Sequence, residues 1–235
     1  MAKLTALEVF NAVTRNCGEA VASDLANLVG LQLVIWDKII EATQDISTDG
    51  NTKLQFLEAT GLIPMVTGQY QYEISALTAG SDLMNEDRES FHSIDNGDIL
   101  KYRTQQEWIE DYPSGIASTS IGYPSKFTKY GGYFIFNNCA GADQNGKNIT
   151  FKYWKLPSYY SVSAPTGTGD IPEPFDRTCL VALATLKVLL YLGSDEAQYY
   201  KVQVFGNGGD IEGSLDKMKR IYSSPILKAR VKYVF

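Results

Sequence analysis

The sequence predicts an α+β protein: a four-helix bundle formed by N- and C-terminal helical pairs, an antiparallel β-domain inserted between them, and an extended C-terminal tail. Three observations predict it. Apolar residues recur at three- and four-residue spacing toward both ends of the chain and at two-residue spacing in the middle. The period changes after "STDGN" and again across "SAPTGTGDIPEPFD", both rich in turn formers. Each helical pair is also too small to bury a core alone, so the two pairs are expected to pack together. The expected divisions are residues 1–58 (N-terminal helices), 59–158 (β-domain), 159–224 (linker and C-terminal helices) and 225–235 (tail).

Residues 4–17 read as a first helix on Ala6, Phe10, Val13 and Cys17, with Gly18 as its stop. Ser23 is expected to cap a second helix of about six turns. Asp24 would sit at its positive end, and its stripe is Leu25, Leu28, Val29, Ile35, Trp36, Ile39, Thr43 and Ile46. Strand-like stretches follow: "GQYQYEIS" (68–75), "DILKYRT" (98–104), "GGYFIFNN" (131–138) and "NITFKYWKL" (148–156). Turn signals separate them at Asn96-Gly97, Tyr123-Pro124, Gly131-Gly132 and Asn145-Gly146, the last expected as a type I′ hairpin turn. In "GGYFIFNN", Tyr133 and Ile135 alternate with Phe134 and Phe136, so this strand is expected to be packed on both faces.

Three prolines and two glycines make 163–176 a linker, with Pro172 and Pro174 leading into a helix that carries Leu180, Leu183, Ala184, Leu186, Leu190 and Tyr191. Gly193 ends it and Ser194 is expected to cap the next. "GNGGD" (206–210) breaks the following stripe of Tyr200, Val204, Leu215, Met218 and Tyr222. The tail "ILKARVKYVF" alternates like a strand that has no local partner.

A net charge of −6 argues against a protein that grips nucleic acid, which needs clustered Lys and Arg. It suits a surface that DNA passes without sticking. Fifteen tyrosines suit protein interfaces as well as plain sheets. Three distant cysteines, Cys17, Cys139 and Cys179, form no CxxC pair and read as free buried thiols. The N-terminus shows no leader and no stretch reaches the roughly 18 apolar residues of a membrane span, so the chain reads as soluble and of intracellular origin.

The residues offer little chemistry. His92 is the sole histidine, in "ESFHSID" without the serine context of a triad, and reads as a surface or loop residue. "NEDRES" and "EWIED" read as solvated charged turns; a glycosidase using Glu107 or Glu110 lacks an identifiable acid–base pair. "GNGG" lacks the Lys-Ser/Thr of a phosphate loop, and "DQNGKN" lacks the spacing of a calcium loop. No catalytic residue, metal ligand or cofactor is assigned. An aromatic platform of Tyr123, Tyr130 and Tyr133 would suit a carbohydrate-binding or adhesin module, the alternative reading.

The ordered series "LQFLEATGLIPMVTGQYQYEI", "GYPSKFTKYGGYFIF", "ITFKYWKLP" and "IPEPFD", flanked by helical pairs, resembles the head-to-tail adaptor proteins of tailed bacteriophages, also called connector or tail tubular protein A-like ring proteins. "TGQYQYEI" is similar to the family's strand after a "v-x-G-x-x-x-Y" pattern. "FKYWKLP" matches its "x-Y-x-x-x-P" strand end, and "IPEPF" its "P-x-x-F" approach to the third long helix. The chain departs where "TDGNTKLQFLEATG" replaces a Trp-x-Phe element and where "GNGG" interrupts a helix. The resemblance implies a structural protein of the virion neck or tail, assembled in the bacterial host's cytoplasm and not an enzyme. It implies a ring, commonly of twelve subunits, between the portal protein and the tail nozzle or fibre proteins, with DNA passing through the lumen unbound and no membrane involved. The tail residues Ile226, Lys228, Arg230, Val231, Lys232, Tyr233 and Phe235 would dock on the portal or a neighbour. Tyr123, Tyr130, Tyr133, Phe134 and Phe136 are the candidates for a subunit or tail interface, the second face of the 131–138 strand lying against a neighbouring subunit.

Overall fold

The structure is a computed structural model that describes residues 2–48, 53–77, 79–80, 82–93, 97–117 and 119–223. It mixes helix and sheet in an α+β arrangement and divides into two compact units. One unit joins the residues up to Leu57 to those from Pro157 onward; the other is Glu58–Leu156.

In the discontinuous unit, α1 (Ala6–Asn16) starts at a capping box: Thr5 Oγ1 accepts from Glu8 N, and the Glu8 carboxylate accepts from Thr5 N. Its next orphan donors go elsewhere. Ala6 N and Leu7 N donate to Gly167 O and Pro165 O at 2.9 and 3.0 Å. Lys3 Nζ donates to the carbonyls of Gly169 and Asp170. Leu4 N donates to the fully buried carboxylate of Asp176 at 2.7 Å. The stretch expected to be a plain linker is therefore a strap over the helix N-terminus, satisfying the donors a helix start leaves open.

α2 runs Leu31–Thr48 rather than from Ser23. Asp24 Oδ1 accepts from Ala26 N in a local turn, and Gly30 holds a φ of +55°, which a continuing helix cannot pass. A single turn of π-helix (Asp176–Leu180) leads into α4 (Val181–Leu192), which is apolar around most of its circumference and lies among α1, α2 and α5 (Ala197–Phe205). Buried hydroxyls inside these helices are satisfied locally: Thr14, Thr43, Ser47 and Thr185 each donate to the carbonyl four residues earlier. Asn16 Nδ2 donates to Thr185 Oγ1, and Lys187 pairs with Asp45 at 2.7 Å. Gly193, at φ +67°, ends α4. Ser194 Oγ accepts from Glu196 N just before α5 begins. Gly206 and Gly208, both at positive φ, separate α5 from α6 (Ser214–Tyr222).

The second unit holds two four-stranded sheets. In the first, β8 (Asn148–Lys155) pairs antiparallel with β1 (Glu58–Pro64), β3 (Leu83–Glu86) and β4 (His92–Ser93). In the second the order is β2 (Gln71–Glu73), β7 (Tyr133–Phe136), β6 (Lys126–Tyr130), β5 (Lys101–Tyr102). β5 runs parallel to β6, so the sheet is mixed where an antiparallel one was expected. The two sheets share one core of Phe91, Phe127, Phe134, Phe136 and Phe151 with Tyr72, Ile63 and Ile149. Gly61 faces Phe151 across β1 and β8, and a Cβ at Gly61 would lie 2.4 Å from the Phe151 ring, so the ring rests on bare backbone there.

Two further expectations are corrected. "EWIED" is no charged turn but most of α3 (Gln105–Asp111), which begins at a capping box of Thr104 and Glu107 and packs on β6 with Trp108 buried. Asn145-Gly146 is not a type I′ turn: Asn145 has φ −60° and ψ 128°, Gly146 has φ +78°, and Lys147 N donates to Gln144 O at 3.0 Å. Those angles are type II.

Candidate interaction surface

β6 and β7 form a hairpin closed by Gly131 and Gly132, whose φ values of +57° and +82° are the positive pair a two-residue turn of the I′ kind requires. The register sets Tyr130 directly opposite Tyr133 at the last rung before the turn. Tyr130 is 57% and Tyr133 39% exposed. Paired side chains at one rung lie within reach of each other, so the turn presents two tyrosines as one tip.

The other aromatic candidates fall elsewhere. Phe134 and Phe136 are buried in the unit's own core, so they are not contact residues for a partner. On the strand's other face Ile135 is half-buried and Tyr133 exposed, so within this chain the strand is packed on one face. Tyr123 lies before the start of β6, at the far end of that strand from the turn. Its ring is 5.9 Å from Lys147 Nζ, and Asn138 Nδ2 donates to its carbonyl. Five strand residues span about 13 Å at 3.3 Å each, so Tyr123 does not join Tyr130 and Tyr133 in one platform. The candidate tail residues Ile226, Lys228, Arg230, Val231, Lys232, Tyr233 and Phe235 lie outside the described residues.

Behind the tip, Lys129 of β6 crosses to Glu86 of β3, with Nζ 2.6 Å from Oε2. Arg88 reaches the same carboxylate at 3.2 Å and lays its guanidinium 4.2 Å from the Tyr102 ring centroid. Burial alone would raise the Glu86 carboxyl, but the hydrogen bond and charge of Lys129, joined by Arg88, outweigh it and hold the group below its usual value. A lowered folded-state value means that the stabilisation is complete above the ordinary Glu value of about 4.3 and is lost as pH falls through the lowered one. Glu86→Gln should cost roughly 2 kcal/mol at neutral pH. It should also remove part of the acid-side loss of stability, as read from urea midpoints across a pH series. A variant whose pH profile overlays the wild type would show that the pair is not coupled to folding.

The reactive side chains are placed as follows. His92 is exposed on β4, its Nε2 2.7 Å from Thr150 Oγ1. All three cysteines are free. Burial pushes the Cys17 thiol up to about 11 and that of Cys179 to about 12, which makes both poor nucleophiles. Among the described residues, no group of three His, Cys, Asp or Glu side chains could hold a metal ion, and no helix is long and apolar enough to cross a membrane.

On the helical unit, Leu190 and Tyr191 were expected in the buried stripe of α4. They are instead 63% and 64% exposed, in the last turn beside Leu192, which is also exposed. Tyr199 of α5 is exposed as well. Periodicity could not separate them from core positions, because α4 is apolar on nearly every side.

No protein-family model matches the chain, and no curated protein matches it.

Proposed function

We propose that the chain is a structural subunit of a head-to-tail adaptor ring of a tailed bacteriophage, placed between the portal protein and the tail, and that it has no catalytic activity. The observation that carries this reading is the order of the elements. A helical unit built from both ends of the chain is interrupted by a β unit, as the resemblance implies. In this reading α1 and α2 make a four-helix bundle with α4 and with α5–α6, the last pair counting as one interrupted helix. The ring, commonly of twelve copies in the family, is built by heterologous contacts, each needing two complementary surfaces on one subunit. The tyrosine tip and the open apolar end of α4 are residue types that such contacts use. The net charge of −6 suits a lumen through which DNA slides in the virion neck.

Electron microscopy of the purified chain, alone and mixed with the portal protein of the same genome, tests the reading. The expected result is a closed ring seated on the portal. A monomer that ignores the portal overturns it.

Substituting both tip tyrosines, Tyr130→Ala with Tyr133→Ala, should leave unfolding within about 1 kcal/mol of wild type, since both rings are open to solvent. It should weaken ring assembly by tenfold or more, about 1.4 kcal/mol or above, measured by sedimentation. Full-strength assembly of this variant would remove the tip from the interface. The same paired tyrosines favour the carbohydrate-binding alternative. Glycan binding by the wild type that the double variant loses, with assembly unchanged, would select that alternative instead.

A further inference from the structure

Within the helical unit, a groove of about 210 Å³ runs between α1 and the start of α4, lined by Leu4, Glu8, Ala12, Arg15, Arg177 and Val181. Glu8, Ala12 and Arg15 recur at four- and three-residue spacing, so they share one face of α1. Arg15 and Arg177 are exposed, and among the described residues neither guanidinium has a hydrogen bond or an ion pair. Glu8 is already engaged: its Oε2 accepts from Thr5 N at 2.8 Å and from Thr5 Oγ1 at 2.9 Å.

Such a groove selects by charge and by size. A guanidinium fork matches a carboxylate or a phosphate. The fixed Glu8 charge at its edge opposes a phosphate group, which carries about −1.5 to −2 at neutral pH, and admits a single carboxylate. A volume below the roughly 300 Å³ of ordinary ligand clefts suits one side chain rather than a whole small molecule. The chain is rich in such groups, with 27 Asp and Glu against 21 Lys and Arg. Asp195 and Glu196 are adjacent and exposed just before α5, between the exposed Tyr191 and Tyr199 in sequence. Among the described residues neither carboxylate has a hydrogen bond or an ion pair. Burial first, then the charges of Glu19 and Glu196, raise the Cys17 thiol, so Glu196 lies on the Cys17 side of α1. Arg15 is two residues from Cys17, about 200° around a helix of 3.6 residues per turn. The arginine groove and the acidic pair therefore face opposite sides of α1. Complementary surfaces that face apart on one subunit join copies head to tail.

We infer that the groove between Arg15 and Arg177 receives the acidic turn at Asp195 and Glu196 of a second copy of this chain, through carboxylate–guanidinium pairs. The choice of a second copy as the partner rests on the adaptor reading. Each subunit then gives its acidic turn to one neighbour and its groove to the other. Leu4, Ala12 and Val181 cover the methylenes of the incoming side chain, which strengthens the pair by excluding water.

The experiment is sedimentation of the full chain over a concentration series, at low and at high salt. The wild type should self-associate, and less strongly at high salt. Arg15→Glu with Arg177→Glu should weaken association about tenfold or more, and so should Asp195→Lys with Glu196→Lys. All four substitutions together exchange the charges and should return association to within about threefold of wild type. The neutral pair Arg15→Gln with Arg177→Gln should weaken it severalfold, and it keeps the test valid should a reversal disturb folding. Undiminished association of the arginine variants overturns the inference and leaves the ring reading intact. Loss in both reversals without recovery in the fourfold exchange overturns it as well. A wild type that is monomeric at every concentration also overturns it, and leaves ring formation on the portal to the microscopy. Association that follows these charges but never closes into a ring upholds the inference and overturns the adaptor reading.

Discussion

Phe91→Ala will destabilise the β unit by about 3–5 kcal/mol, the range for removing a buried phenylalanine. The residue is fully buried and sits between two sheets. Its ring stacks on Phe127 of β6 at 4.0 Å and on Phe151 of β8 at 4.7 Å, and it meets Phe134 of β7 edge-on at 5.2 Å. Truncation removes the middle ring of a three-ring stack. The walls cannot close the gap, because each neighbouring ring belongs to a hydrogen-bonded strand. At a urea slope of about 2 kcal/mol/M the midpoint should fall by about 2 M. Phe91→Leu, which keeps most of the volume, should cost only about 1–1.5 kcal/mol. A loss below 1 kcal/mol in the alanine variant would mean that the stack does not join the sheets.

The second large effect is expected at Asp176. Its carboxylate is fully buried; one oxygen accepts from Leu4 N at 2.7 Å and the other from its neighbour Arg177 N at 2.8 Å. The charge is felt by Tyr160, whose hydroxyl is raised to about 12, first by its own burial and then by Asp176. Asp176→Ala leaves the buried Leu4 amide without an acceptor, a loss of about 2–4 kcal/mol for a charge-assisted bond and an unsatisfied donor together. Asp176→Asn keeps a carbonyl oxygen for Leu4 and should cost roughly half as much. Thermal unfolding gives the magnitude, and hydrogen exchange of residues 4–7 should show where the loss acts. If exchange there stays at the wild-type rate in the alanine variant, Asp176 is not what holds the strap.

The readable parts of the chain were those where one local signal decides. The 3.6-residue stripe of α1, the Gly193 stop, and the alternation of Ile149, Phe151 and Tyr153 are complete within a few residues. The parts that sequence reading missed depend on distant partners. β1 contains Gly61 and Pro64, both unfavourable in strands; it exists because Phe151 needs bare backbone beneath it and because Pro64 lies at the strand's last position. β5 falls within "DILKYRT", which reads as a strand, but its parallel pairing was missed because the partner lies 25 residues downstream. Glu86 looked like one more solvated charge until Lys129 arrived from another strand. One miss was avoidable: Thr104 followed by Glu107, just ahead of Trp108, is a capping-box signature, and "EWIED" could have been read as a helix from it. At the surface, the alternation in 131–138 was plain, but which of its faces lies open depends on the opposing sheet.

The strap over α1 has a consequence for the order of events during synthesis. Its bonds join residues 166 and 172 positions apart, so the N-terminal helix cannot be sealed until the ribosome has passed Asp176. The β unit is one continuous stretch and is complete well before then. It can therefore reach its native state while the first two helices still wait for their partners. A released fragment ending just before Pro165 should carry a protease-resistant β unit beside cleavable N-terminal helices. For the cell, the exposed helical half is the part that calls for a chaperone, and the interval of risk is set by the time needed to translate the insert.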